Sequence, residues 1–358
     1  MKRIRILAAV LALALLCGCS GVLSSEYVSV KPHSEQHTVD TNDGALTAEN
    51  YLSLKNDILS FVENGVEDGV IRIYDYSGSV EDDLAAATYD VSKSDPLGAY
   101  AVDYMTHECA LIVSYYEAHI HITFRRSVAQ IRAIQRVTGT AELCGQIYSA
   151  MDSYAAETTM RMSYYNDPDV PGLAEAYYDQ NPSTCMEMPE VTVGVYPDSG
   201  YVRIIEVQFT YEDTPERLSE KKDAVATSVR AAKEYVRYRQ TDAEKLQLLY
   251  TYLSERFRYR SADTSTPVYS FLCEGVTTSE GCAKSLQIIC DSIGLECYTV
   301  SGQRDSEPYY WNIVGLDGAY YHADLARSLT DGGEKLALRK DSDMTEYFWN
   351  SSLYPACS

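Results

Sequence analysis

The feature that most constrains this chain is its beginning, where Lys2, Arg3 and Arg5 precede an apolar run from Ile6 to Leu16. A bilayer-spanning helix needs about 20 apolar residues. The run therefore predicts a signal peptide over residues 1–18 that is removed on export. It ends Leu16-Cys17-Gly18-Cys19, with a small residue directly before a cysteine, the pattern of a lipid-attachment site with Cys19 as the lipidated residue. No second long apolar segment follows. The rest of the chain is expected to fold in water, outside the cytoplasm, tied to the membrane by lipid alone.

Loss of Lys2, Arg3 and Arg5 takes the formal charge from −22 to −25. No basic stripe is left for phosphates, which argues against nucleic acid as a partner. Roughly 340 mature residues exceed what one hydrophobic core usually organises, so two domains are expected. Eight cysteines remain beyond Cys19, none in a Cys-x-x-Cys pair, and they sit singly in apolar stretches. The six histidines show no ligand spacing to them. The expectation is therefore no structural metal and no cofactor. Tyrosine dominates the aromatic residues, 31 against six Phe and two Trp, which suits half-exposed sheets as well as surfaces that grip peptide or sugar.

Residues 19–47 are polar and aperiodic and read as a lipidated tether. Helical spacing of Tyr51, Leu54, Ile58, Phe61 and Val62 stops at Gly65, and a strand is expected over 70–74. A helix over 80–91 and two or three antiparallel strands over 99–124 follow. Further strands are expected near 131–137 and 158–164, around a helix over 141–154. Segments 191–196 and 201–211 form a predicted hairpin across Pro197-Asp198-Ser199-Gly200, where Pro fixes one turning residue and Gly supplies positive φ. Residues 48–211 thus form an expected N-terminal α+β domain with no chemical motif. Residues 212–240 read as a linking helix. Thr241-Asp242 offers a fresh N-cap before a helix whose Leu246, Leu249, Tyr250 and Leu253 share a face.

The segments Val268 to Ser301 and Tyr309 to Asp324 carry the remaining signal, in Glu280-Gly281, Ala283-Lys284, Gly294-Leu295-Glu296-Cys297, Trp311-Asn312-Ile313-Val314, Asp317-Gly318 and Tyr321-His322-Ala323-Asp324. Together they resemble the bacterial transglutaminase-like core, of papain-like fold, over residues 241–330, with residues 331–358 similar to the extensions of such proteins. The resemblance implies a helix whose N-terminus bears a nucleophilic Cys, with a His and an Asp from neighbouring strands. A thiol there is activated by the helix dipole and by the His. Counted back from Gly294, the nucleophile position holds Ser279 and the aromatic three residues later is Cys282; the His position holds Tyr309 and the Asp position keeps Asp324.

A hydroxyl needs a base that neutral Tyr, with a reference pKa of about 10, supplies poorly. The expectation is an α+β, transglutaminase-like protein that has lost catalysis and serves as a binding module for peptide or cell-wall material, the substrate class being what the resemblance implies. Three rivals stay open. In one, Cys282 attacks with His322 as base and Asp324 or Asp317 assisting, giving an active cysteine peptidase or acyltransferase. In another, Ser279 is activated by a tyrosinate at Tyr309 with Lys284 beside it. The third is a purely structural envelope protein. A disulfide between Cys297 and Cys357, pinning the tail to the core, is also open.

Overall fold

The computed structural model describes residues 44–239, 241–257, 264–276, 278–332 and 335–358; the signal segment, Cys19 and most of the tether lie outside them. In chain order the elements are β1 (Leu46–Ala48), α1 (Tyr51–Asn64), β2 (Asp68–Ile73), α2 (Val80–Tyr89), α3 (Pro96–Ala101), β3 (Val102–Ile112), β4 (Tyr115–Phe124), α4 (Val128–Ala133) and β5 (Gln135–Val137). Then come α5 (Thr140–Asp152), β6 (Glu157–Met162), α6 (Val170–Gln180), β7 (Glu190–Tyr196), β8 (Arg203–Thr210), α7 (Pro215–Val236) and α8 (Asp242–Arg256). The last are α9 (Pro267–Tyr269), α10 (Ser279–Ser292), β9 (Cys297–Arg304), β10 (Glu307–Leu316), β11 (Ala319–Ala323), α11 (Leu325–Asp331), β12 (Leu338–Arg339) and β13 (Tyr347–Phe348). Among the described residues no helix is long and apolar enough to cross a membrane.

The chain divides into two units. The first comprises 44–61, 67–88 and 106–121, and the second 62–66, 89–105 and everything from 122 onward. The first unit is built on a sheet of order β1-β2-β4-β3, with β1 parallel and β4 antiparallel to β2. Leu46–Ala48 is therefore strand where the sequence suggested tether. Alternation works as expected here: Ala118 and Ile120 are buried while His119 and His121 between them are exposed.

The second unit holds two more sheets, so the expected boundary at 211 does not mark the division between units. One sheet, β5-β6-β8-β7, carries the predicted hairpin as β7 and β8, antiparallel from Glu190↔Thr210 to Tyr196↔Ile204, with Gly200 at φ +113° in the connecting loop. Of the strand expected near 131–137, Gln135–Val137 forms as β5, whereas residues 131–133 close the helix α4, which Ser127 and Gln130 start with a capping box. The helix α6 was not anticipated from sequence, although Asp169 before Val170-Pro171 caps it in the usual way.

The other sheet has order β12-β11-β10-β9-β13 and is antiparallel at every pairing. One of its faces, with Cys297, Val314, Leu316 and Ala323, joins Cys282, Leu286, Ile289 and Cys290 of α10 in one core. The opposite face carries Val300, Trp311 and Ile313 and is covered by Met344, Tyr347 and Cys357 of the tail. The helix read as a linker is not one. Leu218, Val225, Val229, Ala232 and Val236 of α7 are buried in the α10 core beside Leu246, Leu249, Tyr250 and Leu253 of α8. Thr241 and Glu244 make the capping box that separates those two helices.

Candidate active-site position

Thr278 is the N-cap of α10, its hydroxyl accepting the Gly281 N–H at 3.3 Å, which puts Ser279 at the first helical position. Amphipathic spacing then drives Cys282, Leu286 and Ile289 into the core. Asn312, fully buried on β10, donates to the Ala283 carbonyl at 2.9 Å and fixes helix against strand. Ser279 is 8% exposed, and its hydroxyl oxygen accepts the backbone N–H of Tyr310 at 3.3 Å. The neighbouring Tyr309 hydroxyl donates to Asp324 Oδ1 at 3.2 Å. Tyr309 and Asp324 therefore meet directly, whereas the serine is linked to them through the strand backbone rather than to a base.

Asp324 accepts two further hydrogen bonds. It caps α11 by accepting the Arg327 N–H at 2.8 Å, and its Oδ2 accepts the Tyr347 hydroxyl at 2.7 Å. Burial raises its pKa, while these donors and the Arg304 guanidinium pull it back. Burial pushes the Tyr309 phenol far up, helped by the charge of Asp324. A tyrosinate that could activate Ser279 is thereby disfavoured. Lys284 is equally committed: fully buried, it bridges Asp179 and Glu280 at 2.9 Å each and lies under the Tyr178 ring at 3.3 Å.

The pairing of Cys282 with His322 does not form. Ile313 pairs with His322 across β10 and β11, so the imidazole lies on the Trp311 and Ile313 face, whereas Cys282 occupies the opposite one. Cys282 is buried, and burial foremost, with Asp324 nearby, drives its thiol well above its ordinary pKa. His322 Nδ1 accepts the Trp311 indole N–H at 2.9 Å, and Nε2 meets Asp341 Oδ1 at 2.8 Å. Since Nδ1 accepts, Nε2 carries the proton and donates to the carboxylate.

His322, Asp341 and Cys357 place one donor atom each within 4.8 Å of one another. They do not suit a cation, because a metal at Nε2 would need the proton moved to Nδ1, where Trp311 already donates. Asp341 Oδ2 is also taken, by the Cys357 N–H at 3.1 Å, and burial pushes the Cys357 thiol up to about 12. The cluster closes the tail onto the sheet. The Cys297–Cys357 disulfide left open by the sequence does not form: both thiols are free, and they belong to the two opposite faces of the sheet.

Residues 229–325 match the family model of the transglutaminase-like superfamily. This span is a transglutaminase-like domain. The match starts within α7, in keeping with the burial of that helix in the domain's core. Solved structures similar to the chain include a TGase, at 11% identity over 57% of this chain and 61% of that one, with a TM-score of 0.27. The chain thus spans less than two thirds of that TGase. A proposed protease from Parabacteroides distasonis is 7% identical over 71% of this chain and 39% of its own, with a TM-score of 0.24. A proposed cysteine protease from Cytophaga hutchinsonii is 12% identical over 45% and 71%, with a TM-score of 0.26. Compared in sequence with curated proteins, the chain matches none.

The position missed by sequence reasoning is Tyr347. It comes from the tail, stacks edge-on against Tyr309 and Trp311, and completes the shell around Asp324. Arg304, 5.3 Å from the Tyr309 ring and 5.6 Å from that of Tyr347, joins them. No local motif marks these residues, since each meets the site only through the sheet.

Proposed function

We propose that the transglutaminase-like domain is a non-catalytic module of a cell-surface lipoprotein, binding extended peptide or cell-wall material close to the membrane. The observation that carries this reading is the Tyr309 hydroxyl donating to Asp324, where catalysis would need an imidazole accepting a proton from a thiol. With Ser279 as acceptor for the Tyr310 amide, the site holds no nucleophile and base in contact. The anchor in this reading is a lipidated Cys19, and the strongly acidic mature chain favours a soluble body above the envelope.

The test has two arms. Full-length protein is assayed for amine incorporation into a glutamine-bearing protein and for peptide hydrolysis, beside Ser279→Ala and Cys282→Ala. No turnover above the buffer rate is expected from any of them, and native iodoacetamide should leave Cys282 unmodified. The same protein, immobilised, should retain peptides or peptidoglycan fragments from an envelope extract. Turnover abolished by Cys282→Ala would overturn the non-catalytic reading, and failure to retain either ligand would leave a structural envelope protein.

A further inference from the structure

The outer edge of β9 is an incomplete ladder. Pro308 stands opposite Gln303 and has no N–H, so that pair is a non-hydrogen-bonded one. Such pairs alternate along an antiparallel ladder, so Thr299 and Ser301, like Gln303, turn their N–H and C=O away from β10. At Gln303 and Arg304 the chain fills the edge itself, with Phe348 and Tyr347 of β13 added antiparallel. Among the described residues no strand continues that addition along 297–302.

A side chain stands in for part of the missing strand. Gln287 Oε1 accepts the Thr299 N–H at 3.1 Å, with Tyr354 beside Ser301 in the lining of the neighbouring cavity. That cavity measures about 500 Å³ and is lined by Asp179, Gln287, Thr299, Ser301, Leu353 and Tyr354. Thr299 Oγ1 is buried there without a hydrogen-bond partner.

We propose that an extended peptide segment binds in this cavity as an added strand on β9, displacing Gln287 from the amide of Thr299 and pairing with that of Ser301. Strand addition draws affinity from main-chain hydrogen bonds, and β13 shows that this edge accepts them. A basic side chain suits the cavity, because Asp179 is the charged residue in its lining. The inference rests on the binding-module reading and moves its ligand from the filled position around Asp324 to the edge of β9.

The probe is an acetylated, amidated hexapeptide alternating Thr and Lys, titrated against full-length protein by fluorescence anisotropy. Saturable binding is expected. N-methylation at alternate residues should weaken it about tenfold in one register and little in the other, since only one set of donors faces β9 and about 1.4 kcal/mol is tenfold. Gln287→Ala, which removes a competitor for the Thr299 amide, should tighten binding, and Ser301→Pro, tolerated on an edge, should weaken it. Absence of hexapeptide binding, or binding indifferent to register, Gln287→Ala and Ser301→Pro, overturns the strand-addition inference. Retention of envelope ligands by the same protein would then leave the module reading standing, whereas loss of both would remove the two together.

Discussion

At the scale of single residues, Asp324 is tied down by phenols: Tyr309 and Tyr347 both donate to its carboxyl group. His322 has likewise become a structural group, and burial lowers its pKa despite Asp341. A histidine whose pKa is depressed on folding binds fewer protons folded than unfolded as pH falls below about 6.5. Its contribution to stability is therefore lost on acidification, from the unfolded value down through the lowered folded one. The expected outcome is an unfolding midpoint that falls between pH 7 and pH 5, with a shallower fall in His322→Gln. Gln can still accept from Trp311 and donate to Asp341. Equal slopes for the two proteins in thermal unfolding would refute this role for His322.

At the scale of elements, β13 does more than its two residues suggest. It brings Tyr347 under the sheet, where the ring contacts Trp311 and the hydroxyl meets Asp324, and it starts the addition of backbone to the edge of β9. Tyr347→Phe keeps the ring and strips the donor, leaving a buried carboxylate oxygen with one partner fewer. A loss of about 1–3 kcal/mol is expected, read as a shift of the urea midpoint at unchanged slope. A variant as stable as the parent would show that the hydroxyl is not needed by Asp324. Helices were the most legible elements. The apolar spacing in α8 and α10 and the cap at Thr241 are local properties, and these helices meet their core as local periodicity requires; α1 buries Leu54, Ile58, Phe61 and Val62 in the same way. By contrast, α7 reads as charged along most of its length, and only its narrow stripe of Leu218, Val225, Val229 and Ala232 shows that it belongs to a core.

At the scale of the whole molecule, the proposed arrangement is a body held at the membrane by lipid that binds rather than turns over. Cys19→Ala should shift the protein from the membrane to the soluble fraction of lysed cells, with the folded domain unchanged in its unfolding midpoint. An unaltered distribution would remove lipidation at Cys19 from the proposal. The sequence by itself pointed, through its resemblance to the transglutaminase-like core, to Ser279, Tyr309 and Asp324, because spacing along a helix and a strand is a local property. It also determined that Cys282 points into the core, since the spacing to Leu286 and Ile289 sets one helix face. Only the tertiary structure decided the partners. Which sheet face holds His322, that Cys297 and Cys357 lie on opposite sides, and that a tail tyrosine closes over Asp324 depend on strand register and on contacts between residues distant in the chain. Such contacts arise when separate segments bury a common apolar surface, and no local pattern encodes them.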